Sequence, residues 1–131
     1  MKNKTITRFG SGAPWESVVG YSRVVRAGNT VEVAGTTATV DGKILFPEDA
    51  AAQARVILEK IVTALAQAGA EPAHVIRTRM YITDAADWKA VGRVHGEFFG
   101  EIRPVSTLVV VKGLVSPEMK VEIEATAWIP E

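Results

Sequence analysis

Hydrophobic residues recur at helical spacing in the middle of the chain and alternate on either side of it. From Asp49 to Gly69 they return every three or four positions, which predicts a long amphipathic helix. Asp49 suits the start of that helix, and Gly69 suits its end. Asp84 to Phe99 has the same period and predicts a second helix. Val75 to Thr83 alternates between them and predicts a long strand.

Shorter stretches predict the remaining elements of an α+β domain. Gly28-Asn29 is a hairpin signal, and the turn-forming residues from Phe9 to Glu16 predict a loop. We expect one domain, residues 1–131, with one sheet that carries both helices on a single face. The further predicted strands are Ser22–Arg26, Thr30–Ala34, Leu108–Val111 and Val121–Trp128.

The strand faces that point away from the helices carry charged and aromatic side chains. In Val121–Trp128 one face is apolar and the other carries Glu122, Glu124 and Trp128. Such a face is typical of a subunit interface or a pocket. Strict alternation in the strand before it predicts that four residues share this face, namely Val75, Arg77, Arg79 and Tyr81.

Charge and composition narrow the classes of function. The chain has 15 basic and 15 acidic residues, which argues against a broad nucleic-acid surface. It has no cysteine, and no cluster of metal ligands is evident in the sequence. No apolar run approaches the roughly 18–20 residues of a membrane span. We therefore expect a cytoplasmic protein with no nucleic-acid or membrane partner.

An ordered set of short motifs resembles the RidA/YjgF family of small imine deaminases and their relatives. The C-terminal third carries Arg103-Pro104-Val105-Ser106-Thr107 and then Val121-Glu122-Ile123-Glu124-Ala125, which is nearly the family's closing motif. The resemblance implies a chorismate-mutase-like α+β homotrimer with ligand clefts between subunits and no cofactor. The other matching pieces are Gly20-Tyr21-Ser22-Arg23, Gly28-Asn29, Ala34-Gly35-Thr36, Val75 to Asp84 and Glu97-Phe98-Phe99.

The resemblance also implies roles for particular residues. Tyr21 matches a cleft tyrosine, and Gly35 matches a glycine whose backbone binds ligand. Glu122 matches the carboxylate that positions the attacking water. Thr36, beside Gly35, is a candidate hydrogen-bond donor to the ligand. His95 stands where the family has a tyrosine near the cleft, and it is a candidate base because its side chain titrates near neutral pH.

One departure concerns substrate recognition. Ser106 stands where deaminating members carry the arginine that binds the substrate carboxylate, and a serine cannot neutralise a carboxylate. Either the substrate differs, or another cation serves, with Arg79 the first candidate and Arg103 the second.

The sequence is compatible with three functions. They are a hydrolase acting on an imine or enamine, a metabolite-binding trimer without turnover, and, least favoured by the charge balance, an endoribonuclease. Structural roles also stay open for individual residues. Glu122 can pair with an arginine across the sheet, and His95 can simply pack on its helix.

Overall fold

A mixed six-stranded sheet forms the framework of this computed structural model, which describes residues 5–131. The elements are, in chain order, β1 (Ile6–Phe9), α1 (Pro14–Val19), β2 (Val24–Ala27), β3 (Thr30–Thr36), β4 (Thr39–Val40), β5 (Lys43–Ile44), α2 (Ala50–Gln67), β6 (Val75–Ile82), α3 (Trp88–Phe99), β7 (Val105–Val110) and β8 (Val121–Trp128). The sheet order is β1-β2-β3-β8-β6-β7, and β4 with β5 forms a separate hairpin. Within the sheet β6 and β7 are parallel, and the other neighbouring pairs are antiparallel. The predicted α+β class is confirmed.

Helix α2 begins and ends where its sequence signals place it. The Asp49 carboxylate accepts a hydrogen bond from the amide of Ala52 at 3.0 Å, which satisfies one free donor of the first turn. Gly69 has φ +84°, and the carbonyl of Ala68 accepts from Nη1 of Arg26 at 2.8 Å. The helix buries one apolar stripe against the sheet, formed by Ala54, Ile57, Leu58, Ile61 and Leu65.

Gln53 is a fully buried polar residue on the same helix. Its amide nitrogen donates to the carbonyls of Leu45 and Glu118, at 3.1 and 2.9 Å. Its amide oxygen accepts from the backbone nitrogen of Lys120 at 2.8 Å. One side chain therefore satisfies three backbone groups in two loops that are distant in sequence.

Helix α3 begins four residues later than the sequence predicts. A 3-10 turn at Ala85–Asp87 precedes it, and the Asp84 carboxylate accepts from the amide of Ala86 at 2.9 Å. That bond closes a tight turn before the α-helix starts. The helix then buries Val91, Val94 and Phe99 beside α2.

Two irregularities shift the strand faces from simple alternation. In β6 the register against β8 shifts between Val75 and Arg77, so Val75 is buried in the core and Ile76 is 51% exposed. The prediction that Val75 shares a face with Arg77 is therefore wrong, because a bulge inserts an extra residue into the alternation. In β3 the pairing with β8 shifts between Val33 and Thr36, at Ala34-Gly35.

The N-terminal region contains more regular structure than the predicted loop. Phe9 ends strand β1, which pairs with β2, and helix α1 starts at Pro14. Proline suits the first helical turn because its missing N–H would be unpaired there anyway. The predicted loop from Phe9 to Glu16 is therefore confined to the residues between β1 and α1. Within residues 5–131, none of the helices combines the length and apolarity needed to cross a membrane.

Candidate functional site

Glu122 lies on the outer face of β8, away from the helices, and it packs directly against Gly35. The bulge in β3 brings Gly35 so close that a Cβ atom there would lie 2.1 Å from Oε2 of Glu122. A residue with a side chain does not fit unless the carboxylate moves. The sequence therefore needs glycine at position 35 for space rather than for an unusual backbone angle.

The environment of Glu122 changes its acidity. Burial raises the pKa of this carboxyl group, since the charged form loses solvation. The charge of Glu124 raises the pKa further, whereas the charge of Arg23 lowers it. A half-buried carboxyl group with a raised pKa is a recurrent feature of sites that transfer protons.

Arg23 reaches the same place from the residues just before β2. Its Nη1 atom donates to the carbonyl of Gly35 at 2.8 Å and to the hydroxyl of Thr36 at 3.0 Å. Its Nη2 atom donates to the Tyr21 hydroxyl at 3.3 Å, and the guanidinium lies 5.6 Å from the centre of the Tyr21 ring. We call Tyr21, Arg23, Gly35, Thr36 and Glu122 the Gly35 cluster.

Three predicted site residues, Tyr21, Gly35 and Glu122, thus lie together with Thr36, a fourth. Thr36 uses its hydroxyl internally, since it donates to the carbonyl of Ala34 at 2.8 Å and accepts from Arg23. The sequence analysis missed Arg23. A signal was present, because Arg23 is the last residue of the Gly20-Tyr21-Ser22-Arg23 motif.

Glu16 and Lys60 border the Gly35 cluster. The Glu16 carboxylate accepts from the amide of Ser11 at 3.0 Å and from the Ser11 hydroxyl, and these bonds hold the pKa of Glu16 below its usual value. It also lies 4.0 Å from Nε of Arg23. Lys60 donates to the carbonyls of Thr37 and Thr39 at 2.8 and 2.7 Å, and burial lowers its pKa.

Ser106 and His95 lie in a second group, joined by Thr78. The Thr78 hydroxyl donates to Oγ of Ser106 at 2.8 Å and lies 2.8 Å from Nε2 of His95. The ring tautomer of His95 determines whether Nε2 donates or accepts the bond with Thr78. We call Thr78, His95 and Ser106 the His95 cluster.

The His95 cluster is an uncharged chain of hydrogen bonds near neutral pH. Burial lowers the pKa of His95, whose ring centre lies 4.8 Å from that of Phe99. This series of hydrogen bonds ends at the exposed hydroxyl of Ser106 on β7, the strand at this edge of the sheet.

The two clusters lie on opposite faces of the sheet within one subunit. Thr78 pairs with buried Ala125 and points towards α3, whereas Glu122 pairs with Tyr81 on the outer face. The predicted site residues named in the two clusters are therefore divided between the two faces of the sheet. One copy of the chain does not bring Glu122 and Ser106 together.

The two arginines considered as substitutes for the missing cation occupy different parts of the subunit. Arg79 is on the outer face, opposite Glu124, whose carboxylate accepts a hydrogen bond from the Tyr81 hydroxyl. That bond raises the pKa of Tyr81. Arg103 has φ +56° after the end of α3, and its Nε donates to the carbonyl of Gly100 at 3.1 Å. Within residues 5–131, no three histidine, aspartate or glutamate side chains converge to form a metal site.

Comparisons with known proteins find related sequences over most of this chain. The model of the endoribonuclease L-PSP family matches residues 12–129. An uncharacterized protein of Streptomyces coelicolor is 41% identical over 129 residues, which cover 98% of this chain and 96% of that protein. The 3-aminoacrylate deaminase RutC of Acinetobacter baylyi is 34% identical over 110 residues, which cover 83% of this chain and 86% of RutC.

A solved structure extends this similarity to the fold. It is a Mycobacterium tuberculosis protein described as a member of the highly conserved YjgF/YER057c/UK114 family. Its TM-score is 0.87 at 50% identity, and the match covers 95% of this chain and 100% of that chain.

Proposed function

Because the chain belongs to the YjgF family, which the endoribonuclease L-PSP model describes, we propose that it hydrolyses a small imine or enamine and releases ammonia. The observation that carries the proposal is the half-buried Glu122 carboxyl group, packed on Gly35 with a raised pKa. Such a group accepts a proton near neutral pH more readily than a solvated carboxylate does. The RutC relative is named as a 3-aminoacrylate deaminase, which supports this reaction class.

The proposed reaction needs water and no cofactor. Glu122 takes a proton from a water molecule while the water oxygen bonds to the imine carbon, and the C=N electron pair moves to nitrogen. The nitrogen is then protonated from Glu122 and a second proton source such as water. The C–N bond breaks, ammonia leaves, and the remaining hydroxyl loses its proton to give the carbonyl product. An enamine enters the same route after protonation at carbon.

We propose that the complete site forms between subunits of a homotrimer. The Gly35 cluster and the His95 cluster are on opposite faces of one subunit, so a ligand that uses both needs groups from two copies. The outer face and the β7 edge also expose large apolar side chains, including Trp128 at 46% and Val105 at 57%. Exposed apolar groups of this kind are typical of surfaces that another chain covers.

The substrate we propose differs from a standard imino acid. Ser106 offers a hydroxyl, backed by the uncharged Thr78 and His95, in the place where a carboxylate-binding cation would lie. A hydroxyl hydrogen-bonds a neutral group well but leaves a carboxylate without its counter-charge. Neutral imines and imino amides are therefore the preferred substrates.

Ammonia release tests the proposal directly. Imines are generated in situ from amino acids and amino-acid amides by an oxidase with catalase, and ammonia release is timed with and without the protein. We expect Glu122→Gln to lower the rate by about a hundredfold or more, the usual contribution of a general base. Glu32→Gln is the matched control, because Glu32 lies exposed on β3 and accepts only from Thr126 among its described hydrogen bonds. Unchanged turnover in Glu122→Gln rejects Glu122 as the base.

A metabolite-binding trimer without turnover is the second candidate, favoured by the uncharged His95 cluster. It predicts no ammonia release, yet a rise in Tm with a neutral product analogue such as 2-oxobutanamide, since a ligand that binds only the native state stabilises it. The same preparation incubated with RNA tests the endoribonuclease alternative. RNA cleavage without imine turnover contradicts both small-molecule functions.

A further inference from the structure

Arg23 holds the bulge of β3 with both its main chain and its side chain. Its carbonyl oxygen accepts from the amide of Ala34 at 3.0 Å. Its guanidinium donates to the carbonyl of Gly35 at 2.8 Å and to the hydroxyl of Thr36 at 3.0 Å. The side chain is only 16% exposed, so these charge-assisted bonds are largely protected from water.

The same guanidinium is part of the charge balance around Glu122. On β8 and β6, the outer face presents Glu124, Tyr81 and Arg79 near Glu122. From the β2 side, Arg23 presents its positive charge, with Glu16 on its far side at 4.0 Å. Burial and Glu124 both favour the protonated form of Glu122, and Arg23 opposes them.

We propose that Arg23 is a positioning residue of this site: it fixes the bulge that sets Gly35 against Glu122, and its charge favours the ionised form of Glu122. The proposal builds on the hydrolytic function above, because an ionised Glu122 is the form that accepts a proton from water. Arg23 acts through Glu122 and Gly35, and it need not touch the substrate.

A carbon-13 NMR titration of Glu122, assigned with the Glu122→Gln variant, tests the electrostatic part without any turnover. We expect the Glu122 midpoint to move to higher pH in Arg23→Gln, because the favourable charge is gone. Amide hydrogen exchange tests the positional part. We expect Gly35 and Thr36 to exchange about tenfold faster or more in that variant, since two charge-assisted bonds to the bulge are lost.

Arg26→Gln is the matched control. Arg26 lies on β2, three residues after Arg23, and it also donates to main-chain carbonyls, those of Gly28 and Ala68, at 2.9 and 2.8 Å. Its removal is expected to weaken the end of α2 while the Glu122 midpoint and the exchange of Gly35 stay at their wild-type values. An equal midpoint shift in both variants contradicts a specific role for Arg23.

Arg23→Lys separates charge from geometry and serves if Arg23→Gln does not fold. The lysine keeps the charge but loses the planar fork, so the midpoint should stay close to wild type while Gly35 and Thr36 exchange faster. Unchanged protection, or a large upward midpoint shift in this variant, overturns the proposal. An inactive protein whose Glu122 responds to Arg23 rejects the hydrolase function alone, whereas an active protein without that response rejects the role of Arg23 alone.

Discussion

The contact between Gly35 and Glu122 leads to a sharp prediction for Gly35→Ala. The added Cβ would lie 2.1 Å from Oε2 and 3.1 Å from Cδ of Glu122, whereas ordinary contacts begin near 3.4 Å. The carboxylate must therefore shift by more than about 1 Å, since a van der Waals contact cannot be compressed that far. Because the closest atom is the end of a flexible side chain, we expect the carboxyl group to rotate away while the sheet stays intact.

The loss of stability should accordingly be modest and the loss of activity large. Overpacking costs about 1–3 kcal/mol, and the mobility of the Glu122 side chain favours the lower end of that range. A catalytic group displaced by about 1 Å can lose a hundredfold in rate. Urea denaturation measures the first quantity, and ammonia release measures the second.

A double-mutant cycle with Glu122→Ala identifies the cause. Glu122→Ala removes the three atoms nearest to the new methyl group, so Gly35→Ala should cost close to nothing in that background, a coupling of about 1 kcal/mol. Gly96→Ala is the control, because a Cβ at this helical glycine meets nothing within 4 Å and should stabilise by up to about 1 kcal/mol. An equal cost of Gly35→Ala in both backgrounds refutes the steric argument.

Three further predictions concern the helices and the pH dependence. Gln53→Leu removes the side-chain partner of three backbone groups in part-buried hydrogen bonds, and urea denaturation should show an unfolding free energy lower by about 3 kcal/mol. Gln67→Leu, exposed on the same helix, should change that free energy little. Asp49→Ala removes the cap of α2 and should cost about 1 kcal/mol in the same assay, a loss that Asp49→Ser should largely avoid. Burial lowers the pKa of His95 in the folded protein below the value of about 6.5 in the unfolded chain. The contribution of His95 to stability is therefore present above the unfolded-state pKa and is lost as the pH falls through the folded-state pKa. The free energy of unfolding, measured from pH 7 to pH 5, should fall less steeply in His95→Gln than in wild type.

The helices and the core were predictable because their signals are local. Apolar spacing and the capping residues Asp49 and Gly69 locate α2 within one or two residues. Alternation in β8 correctly separates its buried face from Glu122 and Glu124. These patterns need only the period of a helix or a strand, which neighbouring residues determine together.

The geometry of the site depends on information that periodicity does not contain. The bulges at Gly35 and after Val75 each add a residue to one strand, and alternation alone cannot locate them. The parallel register that joins Ser106 to Thr78 places them on the helix side of the sheet. The role of Arg23 arises from bonds to residues 12 and 13 positions away. Tertiary pairing decides all of these features.

Strand β7 has a consequence for a subunit outside the proposed homotrimer. It ends the sheet, and Val105, Val109 and Val110 are between 40% and 57% exposed. A strand edge rich in β-branched residues is a template for pairing with another chain. Pro104 and Lys112 bracket it, and residues of these types interrupt the spread of such pairing. In the proposed homotrimer, a subunit that separates from its partners would expose this strand edge, and reassociation would then compete with aggregation when the protein is diluted or heated.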